Sequence, residues 1–187
     1  MMPNVYEGKL VRLRAVEPSD WEFFHNWDRE TTDEGKLTDE IWFPRSIIGS
    51  QAWAEKESLR GAENDAYRFQ IETLDKMLVG TINTHSCHLR NGTFGYGLAI
   101  HPQQRRKGYA SEAIWLVLRH YFHERRYQKC NASAYSFNEP SQRLHERLGF
   151  TLEGRLRRII YTGGEYHDEL LYGITREEFE AKVWGAS

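Results

Sequence analysis

The sequence has little of what marks a secreted or membrane-spanning chain. Two of its 187 residues are cysteine, and Cys87 and Cys130 stand far apart, outside any CxxC pair. That spacing argues against a disulfide scaffold and for two buried thiols in a reducing compartment. No stretch approaches the roughly 20 apolar residues of a membrane helix, and Met1 to Leu10 lacks the apolar run of a secretion signal. The expectation is a soluble, cytoplasmic protein. Charge of either sign is not in excess: 25 Lys+Arg against 27 Asp+Glu leave a formal net charge of -2. No global basic field is therefore available for nucleic acid or an anionic membrane, and neither is expected as a partner. Gly95-x-Gly97 lacks the third glycine of a dinucleotide fingerprint, and no phosphate-loop Lys-Ser/Thr motif occurs. His85-x-Cys87-His88 suits no common zinc module, because strand alternation would split its side chains between two faces. No metal is expected.

What is present is core-forming material. Hydrophobic residues make up 40% of the chain and aromatics 13%, too much for a disordered chain and enough for one domain of 187 residues, with a core from about 8 to 180. Lys9 to Val16 reads as a strand ended by Glu17-Pro18, and Ser19 or Asp20 then caps a helix carrying Trp21, Phe24, His25 and Asp28. Between Asp28 and Glu40, six carboxylates face two cations, which makes a locally acidic loop. Ser46 opens a second helix to about Leu59. Strands follow at Tyr67 to Thr73, Leu78 to His88 and Thr93 to Ile100, with a hairpin turn at Leu74-Asp75-Lys76. Tyr109 to Glu124 has apolar residues at helical spacing over a broad face. After it come a strand from Tyr127 to Tyr135, a short helix from Asn138 to Leu148 ended by Gly149, a hairpin from Phe150 to Ile174 and a last helix from Arg176 to Val183. This order is a single mixed α/β sheet of about seven strands with four to five helices.

The chemistry concentrates after Ile100, where the pattern breaks abruptly into Gln103-Gln104-Arg105-Arg106-Lys107-Gly108 and then a helix. The first turn of a helix leaves backbone N–H groups without internal partners, and its dipole end is positive, so phosphate binds there readily. Gly108 and Ala110 keep the backbone approachable, and three consecutive cations add attraction. A basic loop that merely caps a helix is the other reading of the same residues.

Arg105-x-x-Gly108-x-Ala110 resembles the (Gln/Arg)-x-x-Gly-x-(Gly/Ala) signature of the GNAT superfamily of acetyl-CoA-dependent N-acetyltransferases. Asn138-Glu139-Pro140-Ser141 followed by Leu148-Gly149-Phe150 resembles the family's second conserved helix and the strand after it. Tyr166 to Tyr172 is similar to the final strand of the branch with ribosomal-protein-alanine and spermidine N-acetyltransferases. The resemblance implies a sheet splayed between its fourth and fifth strands with acetyl-CoA in the gap. The pantetheine arm would pair with backbone around Leu98, Ala99 and Ile100. The N–H groups of Arg105, Arg106, Lys107, Gly108, Tyr109, Ala110 and Ser111 would hold the pyrophosphate, with Asn138 and Ser141 on the other side. An N–H near Ile100 would polarise the thioester carbonyl.

Where the family often carries a proton-donating tyrosine, this chain has His145, which reads either as that acid or as a helix-surface residue. The strand position at which some relatives carry a catalytic Glu is Gly95 here. Glu72 is the remaining candidate base, against a plain solvent-facing strand residue. An acceptor amine of ordinary lysine-like pKa costs about 4 to 5 kcal/mol to deprotonate at pH 7, so the base matters. The resemblance places the acidic loop over the acceptor site, where Asp33, Glu34, Asp39 and Glu40 would draw a cationic amine, or else form a solvated surface. The expected reaction is acetyl transfer from acetyl-CoA to a primary amine, on a small molecule or a protein N-terminus, by direct attack in a ternary complex. A non-catalytic acyl-CoA-binding sensor is the alternative, and a homodimer is possible.

Overall fold

The computed structural model describes residues 4–30, 37 and 43–182. Seven strands form one sheet in the order β1-β2-β3-β4-β5-β7-β6. They are β1 (Val11–Arg14), β2 (Arg68–Thr73), β3 (Leu78–His88), β4 (Thr93–Ile100), β5 (Lys129–Tyr135), β6 (Thr151–Thr162) and β7 (Glu165–Thr175). Among the described residues the α-helices are α1 (Trp21–Glu30), α2 (Ile47–Ser58), α3 (Tyr109–Arg119), α4 (Glu139–Leu148) and α5 (Arg176–Ala181). All neighbouring strands run antiparallel except β4 and β5, which are parallel. No helix among the described residues is long and apolar enough to cross a membrane.

The core follows from strand and helix periodicity. Phe94, Tyr96 and Ile100 of β4 lie on the face packed by Ala113, Ile114 and Val117 of α3, all buried. Phe94 stacks on Tyr121 at 4.5 Å between ring centroids. The helical pattern read from Tyr109 to Glu124 divides in space: after Arg119 the backbone widens into a π turn, His120–Glu124. The widening swings both Tyr121 and Phe122 into the core, where they are 2% and 0% exposed. At the other end of the acidic stretch, Asp28, Arg29 and Glu30 belong to α1 rather than to a loop. Both cysteines are free; Cys130 is buried, but Cys87 is only half-buried, contrary to the reading of two buried thiols.

Candidate active site

The parallel strands β4 and β5 are joined only where Thr93, Phe94 and Gly95 pair with Lys129, Cys130 and Asn131. Beyond Gly95 they part: β4 keeps β3 on its other edge to Ile100, and β5 keeps β7 to Tyr135. A wedge opens between them toward Ile100 and Tyr135. The N–H of His101 reaches the carbonyl of Val79 at 2.9 Å, which sets the phase of the β3–β4 ladder. Gly95, Gly97 and Ala99 then spend their backbone groups on β3, while Tyr96, Leu98 and Ile100 turn theirs into the wedge. Of the three residues expected to meet the pantetheine arm, Leu98 and Ile100 thus offer backbone there and Ala99 does not. The Ile100 carbonyl accepts from Arg105 Nε at 3.0 Å, leaving the Ile100 N–H for a ligand.

At the wide end of the wedge the chain turns into α3. Arg106 and Gly108 both have left-handed backbone, with φ of 63° and 87°, and Gly108 is the residue before the first helical turn. The first helical bond runs from Glu112 N–H to the Gly108 carbonyl at 3.1 Å, so the N–H groups of Tyr109, Ala110 and Ser111 precede it and stay available. Lys107 leans on Gln104 (2.7 Å). A further cation comes from α4: Arg147 donates to Ser111 Oγ at 3.0 Å. Sequence reasoning missed Arg147, because nothing local places the end of α4 beside the start of α3. Glu112, one turn into α3, accepts the backbone N–H groups of Lys9, Leu10 and Val11 at 2.8, 2.7 and 2.7 Å.

On the β5 side, Asn138 Oδ1 caps α4 by accepting the Ser141 N–H at 3.2 Å. The Ser141 carbonyl accepts from His145 Nδ1 at 2.8 Å. A carbonyl can only accept, so Nδ1 carries the proton and Nε2 is the acceptor for the Tyr96 hydroxyl, 3.0 Å away. His145 also stacks on Tyr172 of β7 at 5.1 Å and is 4% exposed, which disposes of the helix-surface reading. Burial pulls its pKa below the ordinary histidine value, against a smaller upward pull from the Ser141 carbonyl. Burial likewise raises the Tyr96 phenol well above its usual value. His145 is thus a neutral ring that ties β4, α4 and β7 together where the wedge begins.

This burial has a measurable consequence for stability. His120 is held below the usual histidine range as well, by burial first and then by Arg125. Between those lowered values and about 6.5, the unfolded chain binds more protons than the folded one. The contribution of both rings is therefore complete above about pH 6.5 and is lost as the pH falls below it. Melting curves recorded between pH 7.5 and 5 should show a shallower acid-side decline for His145→Gln than for the wild type. Parallel declines would contradict the buried neutral ring.

Glu72 is neither a solvent-facing residue nor available as a base. It is 7% exposed and held by two arginines: Arg14 Nε at 2.7 Å and Arg12 Nε at 2.6 Å. Arg14 in turn grips Asp20 through both terminal nitrogens at 2.8 Å. Burial pushes the Glu72 carboxyl up, but the two guanidiniums outweigh it and the net shift is downward. Asp33, Glu34, Asp39 and Glu40 lie outside the described residues. Two depressions flank the mouth of the wedge. One, of about 350 Å³, lies between α1 (Phe23, Asn26, Trp27) and the segment after β4 (His101, Gln103, Gln104). The other, of about 700 Å³, is bordered by Arg157, Arg158 and Asp168, next to the end of β5, where Ser136 N–H meets the Asp168 carbonyl at 2.8 Å.

This geometry has relatives. Residues 11–151 match the family model of the acetyltransferase (GNAT) domain. An uncharacterized N-acetyltransferase from the SPbeta prophage of Bacillus subtilis, YokL, is 44% identical over 180 residues, covering 96% of this chain and 98% of the relative. The crystal structure of a GNAT-family acetyltransferase from Bacillus anthracis superposes with a TM-score of 0.77 at 27% identity, covering 92% of this chain and 98% of that one. Spermidine N-acetyltransferase from Vibrio cholerae, solved with CoA and spermine, gives a TM-score of 0.77 at 23% identity over 91% of this chain and 98% of its own. A splayed parallel pair that leads into a basic helix start, and a family match over most of its length, place this chain in the GNAT acetyltransferase family.

Proposed function

We propose that the protein transfers the acetyl group of acetyl-CoA to a primary amine by direct attack while both substrates are bound. The observation that carries this reading is the wedge: two strand edges that stop pairing with each other after Gly95 and Asn131 end at a helix start that offers N–H donors and cations. Unpaired backbone groups cost free energy unless something meets them, and a pantetheine arm carries the amides and carbonyls that can. Leu98 and Ile100 would pair with that arm, and the Ile100 N–H would stabilise charge on the thioester oxygen. The loop from Arg105 to Ser111, reinforced by Arg147, would hold the pyrophosphate. Asn138 and Ser141 border the same opening from α4.

The neutral His145, with Nε2 engaged by Tyr96, is poorly suited to protonate the departing sulfur, and a thiol with a pKa near 8.5 needs little help. We assign the pair instead to holding the wedge open. The acceptor is a small amine such as a polyamine or a protein N-terminus; the Vibrio cholerae relative, solved with spermine, supports the first.

Free-thiol release from acetyl-CoA, measured with spermidine, basic N-terminal peptides, amino acids and aminoglycosides, tests the reading, with acetyl-CoA binding followed calorimetrically on the same sample. Acceptor-dependent release is the expected result. Tight binding with no release on any amine would replace it with the sensor function.

A further inference from the structure

An amine acceptor must lose a proton before it attacks, and the groups considered so far do not take it. Glu72 is held between two guanidiniums, and the His145 Nε2 lone pair is filled by Tyr96. The answer lies on the other face of the sheet. There β4 presents Gly95, Gly97 and Ala99 in alternation after Thr93, opposite the face that packs on α3, so from Gly95 onward nothing larger than a methyl group rises on this face of the strand.

The neighbouring strand covers the bare backbone. In register, His85 of β3 stands opposite Gly95 and Asn83 opposite Gly97. A Cβ at Gly95 would come within 2.7 Å of His85 Cε1 and 3.1 Å of Nδ1, and one at Gly97 within 3.1 Å of Asn83 Oδ1. The imidazole thus occupies the volume that a side chain on Gly95 would fill. Gly95, paired with Asn131, is the last residue at which β4 and β5 are joined. The ring therefore stands at the vertex of the wedge, and it is exposed. Its Nδ1 meets Ser86 Oγ at 3.1 Å, a contact that Nε2 does not share. Charged residues presented to this face by the adjoining strands each have a partner: Arg68 of β2 with Glu57 of α2 at 3.4 Å, Glu72 of β2 with Arg12 and Arg14 of β1, and Lys129 of β5 with Glu153 of β6 at 2.7 Å.

Building on the acetyltransferase reading, we propose that His85 is the general base that deprotonates the acceptor amine. The ammonium form gives one proton to Nε2, which passes it to water. The freed lone pair forms the C–N bond to the acetyl carbon as the C–S bond breaks and its electron pair leaves on sulfur. The nitrogen then gives up its second proton, which neutralises the thiolate, so amide and free thiol form with the net release of one proton. Histidine is the side chain most often used for this kind of proton transfer.

The test compares two nucleophiles in wild type and His85→Gln: spermidine, which is protonated at pH 7, and hydroxylamine, which is already neutral. General-base catalysis supplies upward of about a hundredfold. His85→Gln should lower kcat/KM for spermidine by about that factor, while transfer to hydroxylamine changes by less than about threefold. Acetyl-CoA binding should not change, which also shows the variant to be folded. The double variant His85→Ala with Gly95→Glu provides a rescue. Once the ring is gone, the nearest remaining neighbour of a Cβ at position 95 is the Asn131 carbonyl at 3.4 Å, an ordinary contact, and the new carboxylate should restore at least about a tenth of the lost rate. Equal losses on both nucleophiles, or none on spermidine, would overturn the assignment of His85 while leaving acetyl transfer intact. A wild type that acetylates neither nucleophile would overturn both.

Discussion

Gly108→Asp should leave the protein folded and weaken acetyl-CoA binding about a thousandfold. Three effects add. The backbone there has φ of 87°, which costs an L-residue about 1 to 2 kcal/mol, although Asp tolerates it better than most. The new Cβ would press on Leu10 Cδ1 at 3.0 Å, a contact that Leu10 can yield. The largest effect is charge: a carboxylate at the start of α3 stands where the pyrophosphate would sit, and like charges about 4 Å apart near a surface repel by about 4 kcal/mol. A thousandfold change is about 4 kcal/mol, so charge alone accounts for it. Gly108→Asn, with the same strain and no charge, should lose no more than about tenfold. Calorimetric titration of the two variants separates the causes. Equal losses would assign the effect to backbone strain, and full binding by the Asp variant would remove the phosphate site from this loop.

Glu112→Ala should destabilise the fold by about 3 kcal/mol, lowering Tm by roughly 6 to 12 °C for a chain of this size. The carboxylate accepts three consecutive backbone N–H groups, from Lys9, Leu10 and Val11. Water can replace it at the first two, which are exposed, but Val11 is 0% exposed and its donor would be stranded. Because Leu10 also lies against Gly108, releasing this segment should loosen the loop from Arg105 to Ser111, and with the proposed pyrophosphate site there acetyl-CoA affinity should fall several-fold. Glu112→Gln keeps one acceptor oxygen and should lose about half as much stability. A Tm within about 2 °C of wild type for the Ala variant would mean that β1 holds to β2 without the clamp.

What could be read from the sequence was local. The strands β3 and β4, the hairpin at Leu74-Asp75-Lys76 and Gly149 ending α4 with φ of 90° each declare themselves within a few residues. So does the basic run before α3, because the loop and the helix start are contiguous. What could not be read was distant in sequence. Tyr96 meets His145 across 49 positions and Arg147 meets Ser111 across 36, and no periodicity records such pairs. Glu72 looked like a surface carboxylate because its arginine partners sit some 60 residues earlier. In the sequence His85 stands out only within His85-x-Cys87-His88, a pattern that suits no common zinc module. Its relation to Gly95 exists only once β3 folds back on β4.

The three residue pairs that join β4 to β5 leave the sheet as two half-sheets, β1 to β4 and β5 to β7, with a short seam between them. Each half is continuous and antiparallel; the seam is not. Amide hydrogens at the seam should therefore exchange by small openings, well below the free energy of global unfolding. A bound pantetheine arm would act as an eighth strand, shorter than the others and made of different chemistry. Its binding energy would appear as slowed exchange along both facing edges and as a higher Tm in proportion to ligand concentration. The co-substrate would then be the element that makes the sheet mechanically whole, and the stability of the resting protein would rise and fall with the cell's supply of it.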